Sequence, residues 1–152
     1  MTAAGQTYRD NEHRFSFRYP EGWKKIVRPA DIPNSLVLVV GQIDGGRAPH
    51  VNITAIPTPG VSNEDLLAIP KPAFQNLLES LGLNNVEIKE LGSREINGKR
   101  WLFCYYQATE PDNMRVEVLH LSFMQNNNEF VILARDWSFD SGYCTGDCQF
   151  GL

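Results

Sequence analysis

Long apolar runs are missing from this 152-residue chain. None approaches the roughly 20 residues that a membrane-crossing helix needs, so no membrane span is expected. A basic excess is missing too: 14 Lys and Arg face 18 Asp and Glu, a formal net charge of −4. That is the wrong sign for a surface that neutralises a phosphate backbone, so nucleic acid is not expected as a partner. Cysteine is scarce and odd in number. Cys104, Cys144 and Cys148 make no disulfide framework. Cys104, inside the apolar stretch Trp101 to Tyr106, reads as a small buried hydrophobe. Near Cys144 and Cys148 the tail offers only Asp140 and Asp147 as further ligands, a poor zinc set, and four-residue spacing is not the redox C-x-x-C. Nucleophile elbows, zinc-protease helices, phosphate loops and EF-hands are absent, and Gly41-x-x-x-Gly45-Gly46 lacks the lysine of a phosphate loop. No cofactor, no metal and no catalytic residue are expected, and the chain reads as a non-enzyme.

What is present is an ordinary globular composition, 42% hydrophobic and 21% charged, enough for a single core. Phe15, Phe17 and Tyr19 alternate with Ser16 and Arg18, a strand with one buried face. Pro20-Glu21-Gly22 turns the chain and sets Trp23 back onto the core. Lys24 to Arg28 reads as a short strand. Leu36 to Ile43 reads as a strand covered on both faces, and Val51, Ile53 and Ala55 mark the next, stopped by Pro57 and Pro59. Ser62-Asn63-Glu64-Asp65 is a helix start, and the main helix begins near Pro72. Phe74, Leu77, Leu78 and Leu81 form one apolar stripe, with Gly82 as the left-handed cap. The rest is a four-strand antiparallel meander: Val86 to Ile96, an Asn97-Gly98 turn, Lys99 to Ala108, Arg115 to Met124, and Phe130 to Ala134. The organisation is a flexible N-terminus over 1–7, a single domain over 8–135 and an irregular tail over 136–152.

Few residues hint at chemistry. His13 lies beside Asp10 and Glu12, which with Asp44 offer oxygens for a hard cation, although acids in loops are ordinarily just solvated. His50 falls in a loop. His120 shares a strand face with Val116 and Val118, and its partnership with Cys104 depends on the sheet register. Arg9, Arg14 and Arg18 form one basic group; Lys24, Lys25, Arg28 and Arg47 form another, suited to an acidic partner or simply to solvent. Trp101, Phe103 and Tyr105 lie on one strand face, read either as core or as a ligand groove.

The entry Phe15-Ser16-Phe17-Arg18-Tyr19-Pro20-Glu21-Gly22-Trp23 resembles that of the PsbP-like superfamily, in its F-x-F-x-Y-P-x-G-W pattern and in the order of elements over residues 8 to 135. That superfamily includes photosystem II extrinsic proteins, DcrB-like proteins, type VI effector-associated chaperones and a Ran-binding nuclear-import factor. The resemblance implies an α+β fold, an α/β/α sandwich around an antiparallel sheet. It implies a mostly non-enzymatic, protein-binding role with no catalytic residues to carry over. Members usually finish with a helix that covers the sheet, and Asp136 to Leu152 does not read as one, which leaves an apolar face for a partner.

The expected function is therefore a protein-binding module, accessory or chaperone-like, whose partner is another protein or a second copy. Trp23, Trp101, Phe103, Tyr105 and Arg47 are the candidate partner-binding residues. The alternative is a metal- or small-molecule-binding accessory protein of an envelope or photosynthetic complex. The polar opening Met1 to Gln6 has no export-signal character, so the expected location is the cytoplasm, or the periplasm or thylakoid lumen if a signal has been removed.

Overall fold

Alternation along the chain becomes strands, and the strands become two sheets. The computed structural model describes residues 5–12, 15–41, 48–96, 98–111, 113–135 and 150–151. In chain order the elements are β1 (Gly5–Asp10), β2 (Phe15–Pro20), β3 (Lys24–Val27), β4 (Ser35–Val40), β5 (His50–Pro57), α1 (Asn63–Leu67), α2 (Lys71–Ser80), β6 (Asn84–Ile96), β7 (Lys99–Thr109), β8 (Arg115–Gln125), β9 (Asn128–Arg135) and β10 (Phe150–Gly151). Seven strands form one sheet in the order β3-β4-β5-β9-β8-β7-β6, and β1-β2-β10 form a small one. Every pairing is antiparallel.

The meander β6-β7-β8-β9 stands as expected, and β9 then pairs with β5, joining the two halves of the chain. The β8–β9 turn is a two-residue hairpin. Asn126 and Asn127 both take positive φ, 53° and 61°, between the paired Gln125 and Asn128. This is the geometry whose twist suits flanking strands, and asparagine tolerates it better than most residues. Gly98 is left-handed at φ 78°, while Asn97 of the expected Asn-Gly turn lies outside the described residues.

One face of the large sheet buries Val37, Val39, Val51, Ile53, Trp101, Leu121 and Ile132 against Tyr8, Phe17 and Tyr19 of the small sheet. The opposite face buries Leu102, Cys104, Tyr106, Ala108 and Val118 against Leu66, Phe74 and Leu78 of the helices. The fold is α+β. Among the described residues, helices cover one face and strands the other, so the second helical layer of the expected α/β/α sandwich is replaced there by β1-β2-β10. The expected flexible N-terminus over 1–7 already enters β1 at Gly5, which pairs with Pro20. Of the expected irregular tail, Phe150 and Gly151 pair with Phe17 and Ser16, and residues 136–149 lie outside the described residues.

Bulges explain two apolar patterns that simple alternation does not. Ser35 pairs with Thr54 while Val37 pairs with Ile53, so β4 carries an extra residue and both Leu36 and Val37 enter the same core. The run is not sealed on both faces, for Leu38 and Val40 are only half-buried. Likewise Ile88 pairs with Tyr106 and Leu91 with Cys104, which sets both β6 residues on the helix side despite their odd spacing.

Ser62 caps α1 as expected. The Asp65 N–H donates to Ser62 Oγ and the Ser62 N–H to an Asp65 carboxylate oxygen, each at 3.1 Å. Asn63 clasps two strands at once, donating to the Arg100 carbonyl and accepting from the Met124 N–H, both at 3.0 Å. The expected stripe on α2 is only half buried. Phe74 and Leu78 are 1% and 2% exposed, but Leu77 and Leu81 are 49% and 68% exposed. Leu77 lies roughly 60° around the helix from Phe74, off the arc that meets the sheet. Leu81 is the C-cap, where left-handed Gly82 (φ 92°) turns the chain away.

Candidate functional site

The register brings Cys104 and His120, a nucleophile type and a base type, opposite one another. On the helix-covered face a row runs straight across the sheet: Leu38, Asn52, Leu133, His120, Cys104 and Leu91, each opposite the next. His120 packs edge-on against the Phe74 ring, centroids 5.2 Å apart, and its Nε2 lies 3.2 Å from Ser122 Oγ. Burial drives the pair away from reactivity. It pushes the Cys104 thiol up to about 12, against a smaller lowering by Lys71, and pulls the imidazole of His120 down to about 4. At neutral pH both groups are uncharged. A thiolate nucleophile needs the opposite environment, electropositive and partly open.

The candidate partner-binding aromatics fall in different places. Trp101 and Phe103 are 2% and 4% exposed and belong to the core, so neither presents a surface to a partner. The strand is central to its hairpin layer and both of its faces are covered, which is why it is apolar throughout. Tyr105 and Trp23 are half-buried. Arg47 lies outside the described residues, as do His13, Arg14, Asp44, Cys144 and Cys148.

Two of the acids expected near the N-terminus share one cation. Arg28 reaches Glu12 at 2.7 Å and the buried Asp10 at 3.7 Å, and the Tyr8 hydroxyl lies 3.2 Å from an Asp10 carboxylate oxygen. Among the described residues no three His, Cys, Asp or Glu side chains gather as a metal site. No helix among them is long and apolar enough to cross a membrane.

A groove that the sequence did not disclose lies between the α1–α2 connection and β6. It measures about 380 Å³ and has a mixed lining, apolar from Leu67, Ile69, Ile88, Leu91 and Leu102 and charged from Lys71, Lys89 and Glu90. Its outer wall, β6, is the last strand of the sheet and pairs only with β7 among the described residues. Alternate backbone groups of such a strand have no partner within the sheet. The charges of β6 are largely spent on neighbours: Lys89 on Glu87 at 2.7 Å, Arg94 on Glu90 at 3.5 Å. Lys71 forms no ion pair with any described residue. Neither edge status nor the groove has a sequence signal, since both depend on which strands become neighbours.

Comparison with solved structures identifies the architecture. Cyanobacterial PsbP (CyanoP) from Synechocystis sp. PCC 6803 superposes with a TM-score of 0.61 at 16% identity, over 92% of this chain and 84% of that one. The Ran-binding protein Mog1p of Saccharomyces cerevisiae gives 0.59 at 10% identity, over 97% and 86%. The chain has the PsbP-like fold. The putative regulator PA94 from Pseudomonas aeruginosa shares it at a TM-score of 0.51 and 12% identity, over 93% and 88%. No protein-family model and no curated protein matches the sequence.

Within this PsbP-like domain the entry motif has a mechanical role. Phe17 and Tyr19 face the core from β2, with ring centroids 5.9 Å apart. Gly22 (φ 90°) makes the turn that only glycine adopts freely. Trp23 then packs so closely on Gly41 that a Cβ there would stand 2.8 Å from the indole and 2.9 Å from the Pro49 ring. The Gly41 N–H donates to the Pro49 carbonyl at 2.7 Å, which locks the corner.

Proposed function

We propose that this chain is a non-catalytic accessory module that binds another protein through its large sheet and the elements around it. The observation that supports this most is the contrast between two regions. The reactive residue types, Cys104 and His120, are held neutral in the interior, while a groove of mixed apolar and charged lining lies open beside an edge strand that is paired on one side only among the described residues. The fold likeness to Mog1p, a Ran-binding protein, adds support for a protein as the partner class. Cross-linking in lysate of the organism that encodes the chain tests the reading. A recurrent stoichiometric adduct with one protein is expected. No captured protein at low or high salt, with a monomer at every concentration in sedimentation, overturns it.

A further inference from the structure

We infer that the edge of β6 is a strand-addition site for an extended, acidic segment of a partner protein; this rests on the protein-binding reading above. Three features of the groove converge. First, from Glu90 to Ile96 the β6–β7 ladder is regular, beyond the bulges near Glu87 and Ile88, so the outer side of this stretch offers an evenly spaced row of backbone donors and acceptors. Second, an added strand would lie about 4.8 Å outside β6, and every second side chain would project to the helix side. There the Ile88–Leu91 bulge has set two apolar residues beside Leu67 and Ile69, a floor for apolar side chains at alternate positions.

Third, one cation at this end is uncompensated: Lys71 has no ion pair among the described residues, whereas the Lys89 and Glu90 that also line the groove are paired within β6. Lys71 is the first residue of α2, whose first turn holds no acid, so the ammonium and the helix dipole add. The ammonium is near enough to the sheet to bear on the Cys104 thiol, one strand in from Leu91. An aspartate or glutamate next to the apolar anchors of the added strand meets Lys71. The mixed, internally paired charges of β6 itself keep two copies of this edge from joining indiscriminately.

The test uses two ten-residue peptides of alternating valine and threonine, one ending in two aspartates and its twin in two lysines, titrated into isotope-labelled full-length protein. The aspartate peptide is expected to shift the amides of Glu90 to Ile96, to protect the alternate ones that face outward, and to bind about fivefold tighter than its twin at low salt. Lys71→Glu, an exposed change, is expected to invert that preference while leaving the rest of the spectrum in place. The inference is overturned if neither peptide moves these amides, if Lys71→Glu leaves the preference unchanged, or if hexanoate alone fills the groove while both peptides fail. A cross-linked partner captured equally by wild type and Lys71→Glu, with no contact on β6, sinks the site but keeps the protein-binding reading. No captured partner for either sinks that reading itself.

Discussion

Arg94 lays its guanidinium 3.8 Å from the centroid of the Phe103 ring. It does so because Gly92 stands directly opposite Phe103 in the ladder, and a Cβ there would meet nothing within 4 Å. The glycine leaves one side of an aromatic ring uncovered, and an arginine two residues on covers it. Arg94→Ala is expected to lower stability by about 0.5–1 kcal/mol, read from the denaturant midpoint. Its exposed contact with Glu90 adds little. An unchanged midpoint would remove the stacking as a contribution.

Gly41 and Gly92 make a paired prediction. At Gly41 a methyl group collides with Trp23 and Pro49, so Gly41→Ala is expected to cost about 1–3 kcal/mol. At Gly92 the space is open, and Gly92→Ala is expected to be neutral or stabilising by up to about 1 kcal/mol. Thermal unfolding of the two variants side by side checks both. Equal effects would dissolve the account of the corner.

The buried imidazole sets a pH dependence. His120 titrates near 4 in the folded protein, below the ordinary value near 6.5, because burial disfavours its charged form. Between those two values the unfolded chain binds a proton that the native state refuses. Stability is therefore full above about pH 6.5, falls as pH drops, and levels off for this group below about 4. The side chains around it, Cys104 opposite and Ser122 and Phe74 beside it, carry no charge in this window. Because the residue keeps some solvent contact, the loss is on the order of 2 kcal/mol. Denaturant titrations at pH 7 and pH 4.5 on wild type and His120→Gln measure it; an identical slope in both would rule the histidine out.

Trp101 buries a polar atom: among the described residues its indole Nε1 has no hydrogen-bond partner, while the ring packs on Phe123 with centroids 5.4 Å apart. Removing the donor relieves a desolvated group, so Trp101→Phe is expected to cost under about 1 kcal/mol. Trp101→Ala, which empties the site, is expected to cost about 3–5 kcal/mol. Calorimetry on the two variants checks both, and comparable losses would show that the retained ring volume contributes nothing.

Much of the fold was legible because side-chain period records which face a residue presents. Phe17 and Tyr19, Val51 and Ile53, and the four meander strands all announce themselves in this way, and Ser62 and Gly82 mark helix ends through their local chemistry. Period says nothing about neighbours. That β9 lies against β5, that Cys104 faces His120 and that β6 ends the sheet are long-range choices of register. Bulges add a second blind spot, since one inserted residue re-aims every side chain beyond it. The groove escaped notice for the same reason. Its floor gathers Leu67, Ile88 and Leu102 from three separate elements, each of which reads as ordinary core in isolation.

The position of β9 also bears on how the molecule is made. It fills the gap between β5 and β8, yet among the strands of the large sheet it is the last to be synthesised. A nascent chain released only as far as Gln125 lacks the strand that β5 and β8 both pair with, which leaves each bare along the edge that β9 will occupy. The ribosome must deliver residues 128–135 before the halves can be joined, so assembly waits for nearly the full domain and favours a long-range, comparatively slow closing step.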